Sequence, residues 1–115
     1  MKKIYYLKTC STCIKIIKEL NLANSFVLED IKTKKLSETE LDFLASKAGS
    51  YEGLFNKRAR KLSDLKNQVF NEQVYRELIL KEYSFLKRPV FLIDDEVFAG
   101  NSKSVIETIK KQLNN

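Results

Sequence analysis

Two cysteines, Cys10 and Cys13, stand one helical turn apart in "YLKTCSTCIKIIKEL", residues 6–20, and the chain has no others. Thiols at this spacing serve as metal ligands, as a redox pair or as small buried hydrophobes. A structural zinc site takes four Cys or His ligands. The chain has no histidine and two cysteines, so it could hold zinc only by sharing the ion between two chains. The lack of histidine also removes Ser-His-Asp and Cys-His catalysis. What remains is a redox pair or plain burial.

The surrounding elements favour the redox pair for Cys10. "KIYYL", residues 3–7, reads as a strand that ends at the Thr9-Cys10-Ser11 turn. From Ser11 the apolar residues Cys13, Ile16, Ile17 and Leu20 recur at helical spacing. Cys10 is thus expected at a helix N-terminus, where unpaired N–H groups and the helix dipole favour a thiolate. It should be exposed, with a lowered pKa. Cys13 falls one turn inward on the core-facing stripe. There it could resolve a mixed disulfide formed on Cys10, or serve simply as a small hydrophobe. A C-x-x-C in a strand-helix-strand setting reads as a redox motif.

The rest of the chain completes the setting. "SFVLED", residues 25–30, is a second strand, parallel to the first. Ser37 and Glu40 form a capping box ahead of a helix with Leu41, Leu44, Ala45 and Ala48 on one face, stopped by Gly49. "YEGLFN" and residues 60–67 read as short helical turns, and residues 71–86 as a longer helix with Tyr75, Leu78 and Ile79 on one side. "PVFLI", the Asp94-Asp95 turn and "EVFA" form a hairpin. Asn101 or Ser102 then caps a last helix with Val105, Ile109 and Leu113 inward and Ile106 alongside. Strand, helix, strand, several helices, strand, strand, helix is the thioredoxin arrangement. Pro89, the sole proline, opens the third strand, either as a cis-proline facing the cysteine or as a plain trans residue starting a strand.

Composition sets outer bounds. At 115 residues, with 43% hydrophobic and 31% charged, the chain suits one domain that needs no staples. The N-terminal apolar run spans four residues, too short for a signal peptide or membrane span, so a cytoplasmic location with reduced thiols is expected. The net charge of +6 is mostly lysine, with the densest stretch at "NKRARK", residues 56–61. Such charge attracts nucleic acid or an acidic partner, or merely solvates helix faces.

Four segments in order carry a family resemblance. They are the cysteine segment quoted above, "EDIKTKKLSETEL", "LFNKRARKLSDL" and "FLKRPVFLIDDEVFAGN". Together they resemble the arsenate reductase (ArsC)/Spx/YffB family over nearly the whole length. The resemblance implies a thioredoxin-like α/β fold with a mixed four-stranded sheet. It also implies a single domain, 1–115, with a helical insertion at about 36–86. Cys10 falls on the family's nucleophile and Arg88 on an arginine that faces it, with Cys13 as the resolving thiol. Arg58 falls on the Spx/YffB arginine, and substrate contacts are expected from Arg58, Pro89 and Thr9. Guanidinium groups there would stabilise the thiolate and grip an oxyanion or a glutathione carboxylate in bidentate fashion. Arg58 could equally be a surface ion-pair partner, and Arg60 reads as surface charge.

The resemblance further implies a cysteine-dependent reductase, thiol-disulfide or glutathione-linked. No cofactor is bound, glutathione is a candidate co-substrate, and the reductant is glutathione, glutaredoxin or thioredoxin. The alternative is an Spx-like redox-controlled regulator that binds RNA polymerase; neither membrane nor direct nucleic-acid binding is expected. Strict arsenate reduction fits less well. Asn101 stands where arsenate-reducing members have an arginine, and "CSTC" is like the C-x-x-C of Spx. Ser50, next to Gly49, stands where Spx-type proteins have a glycine contacting RNA polymerase.

Overall fold

The computed structural model describes residues 1–114. Strands β1 (Lys2–Tyr6), β2 (Val27–Asp30), β3 (Val90–Ile93) and β4 (Glu96–Ala99) form one sheet in the order β2-β1-β3-β4. β1 runs parallel to β2 and antiparallel to β3, and β3 is antiparallel to β4. The parallel pair needs a crossover, which is α1 (Ser11–Glu19). The hairpin of β3 and β4 leads into α4 (Lys103–Leu113), whose N-cap is Ser102, accepting a hydrogen bond from the Val105 N–H at 3.2 Å. This is the thioredoxin-like fold that the sequence implies.

Alternation along β1 divides the core in two. Ile4 and Tyr6 face α1 and α4, and pack with Cys13, Ile16, Ile17, Phe91, Ile93 and Ile109. Tyr5 and Leu7 face the other way, onto Leu41, Leu44 and Ala45 of α2 (Glu38–Ala48), with Leu54, Phe55, Ile79, Phe85 and Leu86 behind them. Each sheet face is therefore covered by helices, α1 and α4 on one and α2 on the other.

Between β2 and β3 the chain is helical. The capping box at the start of α2 is formed in both directions: the Ser37 hydroxyl accepts from the Glu40 N–H at 3.1 Å, and the Glu40 carboxylate accepts from the Ser37 N–H at 3.3 Å. Gly49 ends α2 at φ +99°, a left-handed position that suits a residue without Cβ. Turns of 3₁₀ helix follow at Glu52–Leu54 and Arg60–Leu65, then α3 (Glu72–Lys81) and a further 3₁₀ turn at Tyr83–Phe85. The Arg76 guanidinium joins α3 to α2 through Asp42 at 2.8 Å and Glu38 at 3.2 Å. Glu72, at the start of α3, accepts from the backbone N–H groups of Tyr51 and Glu52 at 2.7 and 3.1 Å. These contacts fix the segment after Gly49 that becomes one wall of the cleft described below.

Several boundaries differ from the sequence expectation by a few residues, two of them for a packing reason. The third helix is expected to reach residue 86 but ends at Lys81. Glu82 is extended and its carboxylate accepts from the Ser84 N–H, starting a separate turn. That turn delivers Phe85 into a stack on Phe55, ring centres 5.3 Å apart. β2 begins at Val27 rather than Ser25, because the N–H groups of Ser25 and Phe26 both bond to the Leu22 carbonyl and Phe26 is buried beside α1. β1 runs from Lys2 to Tyr6 instead of from Lys3 to Leu7.

Candidate active site

Cys10 is the N-cap of α1, with extended backbone at φ −91° and ψ 106°. Its side chain makes no capping hydrogen bond, and α1 has no acidic residue in its first turn. No carboxylate thus competes for the free N–H groups and positive pole at this end of α1, so the group best placed to use them is the Cys10 sulfur. Cys13 lies one turn further on and is fully buried in the core beneath α1, whereas Cys10 is half-buried at the surface; both are free thiols.

The two thiols are driven apart in acidity. Burial pushes the Cys10 thiol up, but the Cys13 backbone N–H, the Cys13 thiol and the Arg88 guanidinium together outweigh it and hold it below its ordinary value. Burial raises Cys13, and the negative charge on Cys10 adds to this, so that it is pushed up to about 12. The outer thiol is the more acidic of the two, and the inner one is the harder to ionise.

Cys10 opens onto a cleft of about 860 Å³ between the start of α1, the segment after α2, and the loops on either side of the β3–β4 hairpin. Thr12, Ser50, Gly53, Asn56, Lys57, Arg58, Lys87, Arg88, Asn101 and Ser102 share in lining it. Among the described residues, Arg58, Lys87 and Arg88 make no ion pair, while Lys57 is neutralised by Glu52. The cleft therefore presents uncompensated positive charge beside the Cys10 sulfur and attracts anions.

The sequence-selected residues fall as follows. Cys10, Arg88 and Arg58 share the cleft, and Cys13 lies under it. Arg88 is half-buried and its guanidinium donates to the Ser84 carbonyl at 3.3 Å. Arg58 is exposed and held by its backbone, whose N–H donates to Asn56 Oδ1 at 3.1 Å. The Arg88–Pro89 peptide bond is cis, the first of the two alternatives open for Pro89. Pro89 itself is buried behind the cleft wall, with its carbonyl accepting from the Gly100 N–H at 2.9 Å. Thr9 is exposed on the turn before Cys10 and does not line the cleft; Thr12, on the first turn of α1, does.

Sequence reasoning passed over Asn56, Lys87, Thr12 and Ser102 as site residues. Lys87 and Asn56 carry no motif, and only the backbone pairing of residues 54–56 with 85–87 brings them together. Asn101 lines the cleft, with its side-chain amide 3.5 Å from the Arg88 carbonyl. No group of three or more potential metal-ligating side chains occurs among the described residues. No described helix is long and apolar enough to cross a membrane.

No family model matches the sequence, and no curated protein does either. Solved structures do match. An arsenate reductase (ArsC) related protein from Brucella melitensis is 26% identical, with a TM-score of 0.74 over 96% of this chain and 94% of that one. An ArsC family related protein from Bacteroides fragilis is 21% identical, with a TM-score of 0.76 over 94% of this chain and 96% of that one. The arsenate reductase from Vibrio cholerae is 12% identical, yet its TM-score is 0.74 over 95% of each chain. The likeness runs nearly the full length of both partners, helical segment included, and the chain has the thioredoxin-like fold of these ArsC-related structures.

Proposed function

We propose that the protein is a cysteine-dependent thiol-disulfide or glutathione-linked reductase, with Cys10 as nucleophile and Cys13 as resolving thiol. The observation that carries this reading is the placement of Cys10 at the uncapped start of α1, in a cationic cleft and directly above the protonated Cys13. The Cys10 thiolate attacks one sulfur of a substrate disulfide, forming a mixed disulfide and releasing the other half as a thiolate that takes up a proton. Cys13 then gives up its proton and attacks the Cys10 sulfur. This forms the Cys10–Cys13 disulfide and releases the reduced substrate. Two electrons from an external thiol, glutathione, glutaredoxin or thioredoxin, restore the pair.

Arg88 stabilises the Cys10 thiolate, and Arg58 draws in an anionic substrate group such as a carboxylate. Pro89 shapes the wall behind them; Thr9 is a peripheral contact at most. A reducing, cytoplasmic compartment suits this cycle, and no bound cofactor enters it. Reduction of a small glutathione mixed disulfide with a coupled reductant tests the reading. Turnover should vanish in Cys10→Ser and fall in Cys13→Ser. Unchanged turnover in Cys10→Ser would overturn it.

The cysteine pair also favours a second reading, an Spx-like regulator whose disulfide state governs binding to RNA polymerase. Ser50 stands on the cleft rim directly after the left-handed Gly49, at an accessible corner of the fold. Capture of RNA polymerase from a native lysate by the oxidised but not the reduced protein would select this reading over the enzyme.

A further inference from the structure

Every polar group of Asn56 is engaged, although the residue lines the cleft. Its backbone N–H donates to the Phe85 carbonyl at 2.7 Å and its carbonyl accepts from the Ala59 N–H at 3.2 Å. In the side chain, Nδ2 donates to the Ser84 carbonyl at 3.2 Å and Oδ1 accepts from the Arg58 N–H at 3.1 Å. The Ser84 carbonyl takes a second donor, the Arg88 guanidinium, at 3.3 Å. A carbonyl has two lone pairs, so both bonds can be held at once. One amide therefore stands between the backbone of Arg58 and the anchor of Arg88.

The chemistry of the side chain matters here. An amide accepts at one end and donates at the other, whereas a carboxylate only accepts and an aliphatic chain does neither. The backbone pairing around it does not depend on this amide. The Lys87 N–H donates to the Leu54 carbonyl at 2.8 Å, and Phe55 and Leu86 form an antiparallel bridge. What the side chain adds to that ribbon is an acceptor for the Arg58 backbone and a second donor on the carbonyl that anchors Arg88.

We infer that Asn56 is a positioning residue, an amide strut that fixes Arg58 and Arg88 relative to one another and so sets the positive field at Cys10. The inference rests on the reading of Cys10 as a thiolate, which is the species that such a field acts on.

Two alkylating reagents test it on the reduced full-length protein, neutral iodoacetamide and anionic iodoacetate, with labelling at Cys10 followed by peptide mapping. Both react with the same thiolate, so the ratio of their rates reports the local field and cancels the fraction ionised. Asn56→Leu should lower the iodoacetate-to-iodoacetamide ratio roughly threefold, the factor for withdrawing one unit charge from ~6 Å in water-like surroundings. Arg58→Gln should lower it similarly. In a background lacking both guanidiniums, Arg58→Gln with Arg88→Gln, adding Asn56→Leu should change nothing, because no guanidinium remains to be placed.

An unchanged ratio in folded Asn56→Leu overturns the inference, as does an equal fall in the background without the two arginines. If Asn56→Leu does not fold, Asn56→Ser, which is too short to reach the Ser84 carbonyl, takes its place. The reading of Cys10 is judged separately, from the pH midpoint of the iodoacetamide rate alone. An ordinary midpoint there defeats that reading while the ratio still reports on Asn56.

Discussion

Cys13 stands one turn further along α1 than Cys10 and is fully buried where Cys10 is half-buried. The two thiols shift in opposite directions, Cys10 below its ordinary value and Cys13 up to about 12. In the proposed cycle this difference separates the attacking thiol from the resolving one. The more acidic thiol is the accessible one, and the less acidic one is enclosed.

The alkylation rate of Cys10 against pH should show a midpoint below the unperturbed thiol value of ~8.5. Arg88→Ala removes one of the groups that lower it and should move the midpoint upward. A midpoint at or above the free-cysteine value would take away the basis for calling Cys10 the nucleophile.

Mild oxidation with diamide should join Cys10 to Cys13. Mass spectrometry should then find two hydrogens missing from the peptide containing "TCSTC", restored by dithiothreitol. The loop closed is very short, so the bond should add little to global stability. Dimers linked through Cys10, with Cys13 unreactive, would leave Cys13 as a core residue and make resolution depend on an external thiol.

Stability at alkaline pH should carry the signature of Cys13. Its thiol is held protonated in the fold up to about 12. In the unfolded chain it ionises near the ordinary thiol value, so between the two the folded state binds more protons and stability falls as pH rises. Cys10, whose value is lowered in the fold, acts in the opposite sense at lower pH: its contribution is present above the unfolded thiol value and lost as pH falls through the folded one. Denaturant midpoints measured from pH 8 to pH 11 should decline less in Cys13→Val than in the native sequence. Parallel curves would show that Cys13 is not held protonated.

Arsenate turnover with glutathione and glutaredoxin should be weak or absent. Asn101 offers the cleft an amide already facing the Arg88 carbonyl, where arsenate-reducing members of the resembled family have a charged donor. Losing one charge-assisted hydrogen bond to an oxyanion costs about 1.5–3 kcal/mol. That corresponds to roughly ten- to a hundred-fold in rate. Robust turnover by the native sequence would refute this, and a gain in Asn101→Arg would support the assignment.

Much of this arrangement was legible in the sequence because it is written in local signals. The period of α1, the Ser37–Glu40 capping box and the break to strand at Pro89 depend on neighbours a few residues apart, and all three are in the structure. The early end of α3 was not legible. Residues 71–86 have unbroken helical composition, and what stops the helix is Phe85 turning to meet Phe55, thirty positions earlier. Asn56 was invisible for the same reason: its partners Ser84 and Phe85 are brought to it by the fold, and no spacing rule links them.

The ribbon that pairs Leu54–Asn56 with Phe85–Lys87 has a consequence for how such a chain can change over time. Residues 57–84 start and end at that ribbon, with α3 folded back onto α2, and cleft side chains sit where the segment closes. Lengthening the far part of the excursion adds closure entropy only slowly. Sequence drift and insertions at residues 66–69, all exposed, should therefore be tolerated. The same changes at 56–58 or 84–88 would rearrange the charges around the thiol.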